Sequence, residues 1–311
     1  MTTSSFENEL HGTPAAFINF RDHEACRTAR EIPRERIAIH PNEGFQISIV
    51  DDVDDFFDRF ASDLVGRIRS ARDEGRQFVV ILPVGPTAQY IRAAAIINRE
   101  QLSLSHVHTF NMDEYADSEG KSAPLQWAGS FQRAMWEGFF GLIDEQLRPP
   151  DNQIHFPSSE NIGSYSDDIA QLGGADACYG GIGWCGHIAF WEPHLGQDYD
   201  GLEEYLDAGS RLVELHPMTI MQNALLSFGG DWSWVPPKAV TVGPRDIMGA
   251  KHRSFWLDGE VGGGMAWQRF IARLVAHGPI STEVPGSILQ LARTDYVLLG
   301  GVADNVEVRM V

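Results

Sequence analysis

Cysteine is scarce: Cys26, Cys178 and Cys185 are the only three in 311 residues, and no two form a CxxC pair. A disulfide framework is therefore excluded. No stretch approaches the roughly 20 apolar residues that cross a bilayer. The opening MTTSSFENELHG lacks a basic stretch followed by an apolar one, so it does not read as a secretory signal. Positive charge is also short, with 24 Lys and Arg against 43 Asp and Glu and a formal charge of -19. That balance repels phosphodiester backbones and anionic lipid, so neither nucleic acid nor membrane is an expected partner. His106, His108, His155, His216 and His252 show no HxxxH or HExxH spacing, and no metal site is expected. Repeats and low-complexity tracts are missing too. What remains is an ordinary globular composition, 43% apolar and 22% charged, fitting a soluble cytoplasmic protein that acts on a small molecule.

Residues 1–45 mix polar residues with Gly12, Pro14, Pro33 and Pro41 and keep no apolar period. They read as a partly irregular extension, either an extended arm packed over the body or a partly disordered one. From 46 to 311 the chain reads as a single domain. Asp51 and Asp52 can cap a helix whose apolar face is Val53, Phe56, Phe57, Phe60, Leu64 and Ile68, closed by Gly75. The run Phe78-Val79-Val80-Ile81-Leu82 is strand-like, and a helix from Thr87 to Arg99 follows it. Further strands are expected at 107–110, 154–156, 177–180, 239–242, 254–257 and 296–299. Helices are expected over 124–142, 163–172, 217–227 and 264–277. Such alternation predicts an α/β fold, a Rossmann-like α/β/α sandwich of three layers around a mostly parallel sheet. The loop-rich stretch 194–238 is a candidate lid over the carboxyl ends of the strands, where this architecture binds ligands.

Three loops carry residues suited to chemistry. Val84, Gly85, Pro86 and Thr87 join a strand to a helix, and a helix N-terminus offers free amides to an anion. A plain turn capped by Thr87 fits those residues equally well. Asp113 and Glu114 follow a buried strand directly; either is a general base if burial raises its pKa, or an ordinary turn cap if not. In Gly180-Gly181-Ile182-Gly183-Trp184-Cys185-Gly186-His187-Ile188-Ala189-Phe190-Trp191-Glu192-Pro193 the glycines formally match GxGxxG. Pro193 interrupts the helix that such a motif requires, so no cofactor is expected. A glycine-lined backbone presenting His187 is the better reading, with Gly183 and Gly186 letting a ligand approach. His187 and Glu192 diverge by about 140° on a helix, but on a curved loop the carboxylate can orient the imidazole. Cys185 reads as small filler more readily than as a nucleophile.

All three loops, in this order, resemble the glucosamine-6-phosphate deaminase/isomerase family, within a superfamily that includes 6-phosphogluconolactonases. The resemblance runs over roughly residues 45–300 and is sharpest at Thr109–Tyr115 and Gly186–Pro193. It implies aldose–ketose chemistry on an opened amino sugar or sugar phosphate, with Asp113 moving a proton from C2 to C1. His187 would assist ring opening, oriented by Glu192. It also implies homo-oligomers, which the family often forms. Three departures stand out. Cys185 occupies the position of a family aspartate, Pro86 replaces a loop glycine and its N–H, and the family's phosphate lysine and arginine fall at Val261 or Gly262 and near Leu225. At about 1.5–3 kcal/mol per charged hydrogen bond, such losses weaken recognition of a dianion by several kcal/mol. Arg211, Arg245, Lys251 and Arg253 are the candidate replacements. A lactonase and a sugar-binding regulator without turnover are the alternative functions.

Overall fold

The computed structural model describes residues 14–260 and 266–308. In chain order the strands are β1 (Phe45–Val50), β2 (Phe78–Leu82), β3 (Val107–Asn111), β4 (Asp113–Ala116), β5 (Ile154–His155), β6 (Ala177–Gly180), β7 (Arg211–Glu214), β8 (Lys238–Thr241), β9 (His252–Leu257) and β10 (Thr294–Leu299). Seven of them form a sheet in the order β1-β10-β9-β6-β2-β3-β5, parallel at every pairing. The main helices are α1 (His23–Glu31), α2 (Val53–Asp73), α3 (Thr87–Arg99), α4 (Phe131–Gly138), α5 (Tyr165–Gln171), α6 (Pro217–Ser227) and α7 (Arg269–His277).

β2 is an interior strand between β6 and β3 and explains its own sequence. All five residues are buried, as expected for a parallel strand covered on both faces. Phe78, Val80 and Leu82 pack with α2 and α3 through Phe60, Leu64, Ile68, Ala93 and Ile97. Val79 and Ile81 join the opposite core, which includes Ile271 and Leu274 of α7. The three layers follow from that alternation. Among the described residues no helix is long and apolar enough to cross a membrane.

Four expectations need correction. The segment before β1 is not simply irregular: Asp22 caps α1 through the Ala25 amide, and Arg273 donates to the Ile32 carbonyl, tying the segment to α7. The expected helix over 124–142 shrinks to α4. Ser130 caps it by accepting from the Arg133 amide, and the chain passes into a separate 3-10 turn at Phe140–Leu142. Leu125 and Leu142, assigned to its buried face, are exposed. The strand expected at 239–242 is not in the main sheet; β8 is the centre of a second, antiparallel sheet, β4-β8-β7. The stretch 194–238 holds the expected helix as α6 and, beyond the expectation of a loop-rich segment, the strand β7. The signal-peptide reading of the first residues falls outside the described ones.

Ile81 is fully buried on β2, an interior strand of the main sheet. Ile81→Ala is expected to lower the unfolding free energy by about 2–5 kcal/mol, measured by urea denaturation.

Candidate active site

From β2 the chain steps outward to β3 and β5, then returns to the other side of β2 as β6 before continuing to β9 and β10. That reversal leaves a crevice beyond the carboxyl ends of β2 and β6, where open α/β sheets bind ligands. A cavity of about 420 Å³ occupies it, within the roughly 300–1,000 Å³ usual for small-molecule sites. Four neighbouring strand ends supply its walls: Met112 and Asp113 beyond β3, Pro83 to Pro86 beyond β2, Gly181 to Gly183 beyond β6, and Asp258 to Glu260 beyond β9. α6 contributes Gln222, Asn223 and Leu226.

Asp113 opens β4, where the chain leaves the main sheet; the Val242 amide donates to the Met112 carbonyl at 2.9 Å and holds the crossing. Its carboxylate is buried at the cavity wall and meets no hydrogen-bond donor among the described residues. Loss of water, reinforced by the neighbouring Glu114 carboxylate, pushes its pKa up to about 8. Glu114 points elsewhere, because successive residues of a strand face opposite sides. It accepts from the amides of Phe131 (3.0 Å) and Gln132 (2.9 Å) and from Ser130 Oγ (2.9 Å), so it closes the N-terminus of α4. The expectation that Glu114 binds substrate is therefore corrected.

His187 shares the cavity with Asp113. Its Nδ1 lies 2.9 Å from Thr219 Oγ1, and that hydroxyl donates to Glu192 Oε2 at 3.0 Å. Glu192 Oε2 is itself 3.3 Å from Nδ1, and the His216 amide donates to Oε1 at 3.3 Å. With Nδ1–H donating into this group, Nε2 is left as the acceptor on the Gly183 side. Glu192 is fully buried; burial works against its charge, yet His187, Thr219 and Cys185 together hold its pKa below the usual value. The Cys185 thiol donates to Glu192 Oε2 at 3.2 Å. Burial, then the Glu192 charge, raises its pKa well above the ordinary thiol value, so it stays neutral. The donor atoms of Cys185, His187 and Glu192 lie within 4.8 Å of one another. A thiol held protonated and a carboxylate already accepting three hydrogen bonds suit a proton relay better than metal ligation.

The other expected residues divide. Val84, Gly85, Pro86 and Gly183 line the cavity. Thr87 does not; it is the first residue of α3, after Pro86 at the cap position, and its amide donates to the Gly85 carbonyl at 2.9 Å. Cys185 and Gly186 stand behind the wall, Gly186 with φ +88 in the left-handed region that glycine tolerates. Arg211, expected to bind substrate, sits at the start of β7 on the edge of the small sheet. Its guanidinium bonds Asp198 (3.1 Å) and the Tyr199 hydroxyl (3.2 Å). Arg245 pairs with Asp167, Lys251 with Asp176, and Arg253 donates to the carbonyls of Met248 and Arg293, so none of the candidate replacement cations reaches the cavity. Leu225 is exposed on α6, while Val261 and Gly262 lie outside the described residues. Sequence reasoning missed Thr219, Gln222, Asn223, Gln89, Asp258 and Glu260. A signal existed for two of them, since Asp258 and Glu260 directly follow a recognisable strand.

No family model matches the chain. Among individual proteins, glucosamine-6-phosphate deaminase 2 of Bacillus subtilis (strain 168) is 36% identical over 212 residues, covering 66% of this chain and 75% of that protein. The chain belongs to the glucosamine-6-phosphate deaminase family. The Caenorhabditis elegans glucosamine-6-phosphate deaminase is 34% identical over 194 residues, 60% of this chain and 66% of its own length. A solved monomeric glucosamine-6-phosphate deaminase superposes with a TM-score of 0.69 at 22% identity, over 83% of this chain and 98% of that one. The 6-phosphogluconolactonase of Thermotoga maritima gives 0.56 at 16% identity, over 81% and 98%. At those identities the solved structures establish the shared α/β fold; membership in the family makes the chain an enzyme.

A Cβ at Gly183 would lie 2.0 Å from His187 Nε2. Gly183→Ala is therefore expected to displace the imidazole and lower kcat by about 10²-fold or more, with a circular dichroism spectrum like that of the wild type.

Proposed function

We propose that the chain converts a 2-amino-2-deoxyaldose into the corresponding ketose with release of ammonia. The observation that carries this reading is the buried, unbonded Asp113 carboxylate in one cavity with His187. The names of the relatives supply the amino sugar.

His187 Nε2 takes the proton of the C1 hydroxyl and returns it to the ring oxygen, opening the ring to an aldehyde; the developing imidazolium is stabilised by Glu192 through Thr219. Asp113 removes the C2 proton, giving an enolamine, and delivers it to C1. The product is an imine at C2. Water adds there and ammonia leaves, so one aldosamine and one water yield one ketose and one ammonia. A base whose pKa lies near the working pH suits both taking and returning that proton.

In deuterated water the enzyme is expected to exchange the C2 hydrogen of an amino sugar, and Asp113→Asn to slow this by about 10²–10⁴-fold, read by proton NMR. Exchange that survives in Asp113→Asn refutes the role of this carboxylate. Lactone hydrolysis through His187-activated water, the alternative reading, gives no C2 exchange.

Asp113 must be deprotonated to act, so kcat/KM is expected to rise with pH and level off above about pH 8. Stability runs the other way. Between the unfolded carboxylate pKa near 4 and the folded value, the native state holds the extra proton, so stability falls as pH rises through that window. Asp113→Asn removes this penalty and is expected to unfold at a higher temperature than wild type at pH 8, measured by calorimetry.

A further inference from the structure

Only two of the eleven residues of α6 are buried, Thr219 and Ala224, while Met221, Leu225 and Leu226 are exposed. A helix with so little covered surface gains little from packing. Yet it carries Thr219 beside His187 and the lining residues Gln222 and Asn223. Directed bonds must hold it instead. One lies mid-helix, where Gln222 Oε1 accepts from the Trp184 amide at 2.6 Å. Others converge on the first turn, at His216.

His216 is the cap of α6 and is 3% exposed. Its Nδ1 accepts from the Met218 amide at 3.2 Å, so the ring proton belongs on Nε2. Nε2 donates to the Phe17 carbonyl at 2.8 Å, with Asn19 Oδ1 3.2 Å away. The His194 ring stacks on the imidazole at 6.0 Å, and the Phe17 ring meets it edge-on at 6.4 Å. Meanwhile the His216 backbone amide donates to Glu192 Oε1. One residue thus joins the start of α6, the buried carboxylate behind His187, and a segment 199 positions earlier.

That early segment is folded so as to present its carbonyl. Arg21 donates to the carbonyls of Ala15, Ala16 and Ile18, each at 3.2 Å, and the Ile18 amide donates to the Ala15 carbonyl at 2.9 Å. Residues 15–21 are drawn into a closed loop by these bonds. Directly after it Asp22 caps α1, and Arg273 of α7 holds the far end of that helix through the Ile32 carbonyl. The loop lies ahead of residue 45, where the resemblance to the family starts.

We propose that residues 15–21 form a strap that acts through His216 to fix the first turn of α6, placing Thr219 and Glu192 for the His187 relay. His216 is a positioning residue, since it lies outside the cavity lining and acts through Glu192 and Thr219. For its effect on turnover the inference rests on the relay reading of His187; the strap itself does not.

The test uses Arg21→Ala, His216→Ala and His216→Asn in the full chain. Arg21 is exposed and bonds within the strap, so its loss leaves every residue of α6 in place. Turnover is followed by C2 exchange of glucosamine 6-phosphate in deuterated water, and helix order by amide hydrogen exchange. His216→Ala is expected to lower kcat by about tenfold or more with a smaller change in KM, and to loosen residues 217–227 while β2 keeps its protection. His216→Asn keeps an acceptor for the Met218 amide and is expected to recover part of kcat. Arg21→Ala is expected to lower kcat several-fold and to loosen the same helix. Wild-type kcat in both His216→Ala and Arg21→Ala overturns the proposal, and unchanged exchange over 217–227 in Arg21→Ala overturns the strap. Loss of protection throughout the chain, β2 included, overturns the positioning role in favour of global stability. If the wild type shows no C2 exchange, the proton-transfer reading falls, and amide exchange over 217–227 alone upholds or overturns the strap.

Discussion

A carboxylic acid kept away from water at the mouth of a parallel sheet is the constraint on which the rest depends. Asp113 has little solvent and, among the described residues, no donor to stabilise its charge, and Glu114 next to it adds repulsion. The fold bears that cost because both flanking segments are held from elsewhere. Met112 is bonded to β2 on one side and to Val242 on the other, and Glu114 is locked onto the start of α4. The carboxylate is thus positioned by neighbours that gain stability, while it loses some itself.

The second wall of the site works by the opposite rule. Glu192 is more deeply buried than Asp113, but it keeps its charge because Thr219, Cys185 and the His216 amide all donate to it. A thiol donates one weak hydrogen bond and stays neutral here, so Cys185 supplies packing and a donor where the family aspartate would add a second charge. Glu192 is consequently the single carboxylate in contact with the imidazole among the described residues. Two buried carboxylates, one at the cavity wall and one behind its imidazole, thereby titrate in opposite directions because of their surroundings.

The two sides of the cavity come from different strand ends. The motifs around Asp113 and His187 lie on strand ends whose positions the sheet dictates. The far side of the cavity is built from the loop after β9 and from α6, and α6 serves both sides, since it carries the lining residues Gln222 and Asn223 as well as Thr219 beside His187.

Local windows of sequence already contained much of the frame. β2 and α3 could be read to the residue, since an all-apolar pentapeptide and a helical stripe are set by neighbours a few residues apart. Asp113, His187 and Glu192 were legible as well, because their loops carry uncommon residue strings. Tertiary structure alone decided where adjacent side chains point and what they meet. Asp113 and Glu114 are indistinguishable as a pair of acids until β4 assigns them opposite faces. Arg211 is a plausible ligand-binding cation until β7 carries it to Asp198. Thr219 enters the relay from a helix 32 positions after His187, a contact with no local trace. Periodicity encodes secondary structure over one or two turns, whereas desolvation, charge pairing and the direction of a side chain are set by chain segments brought together only when the sheet forms.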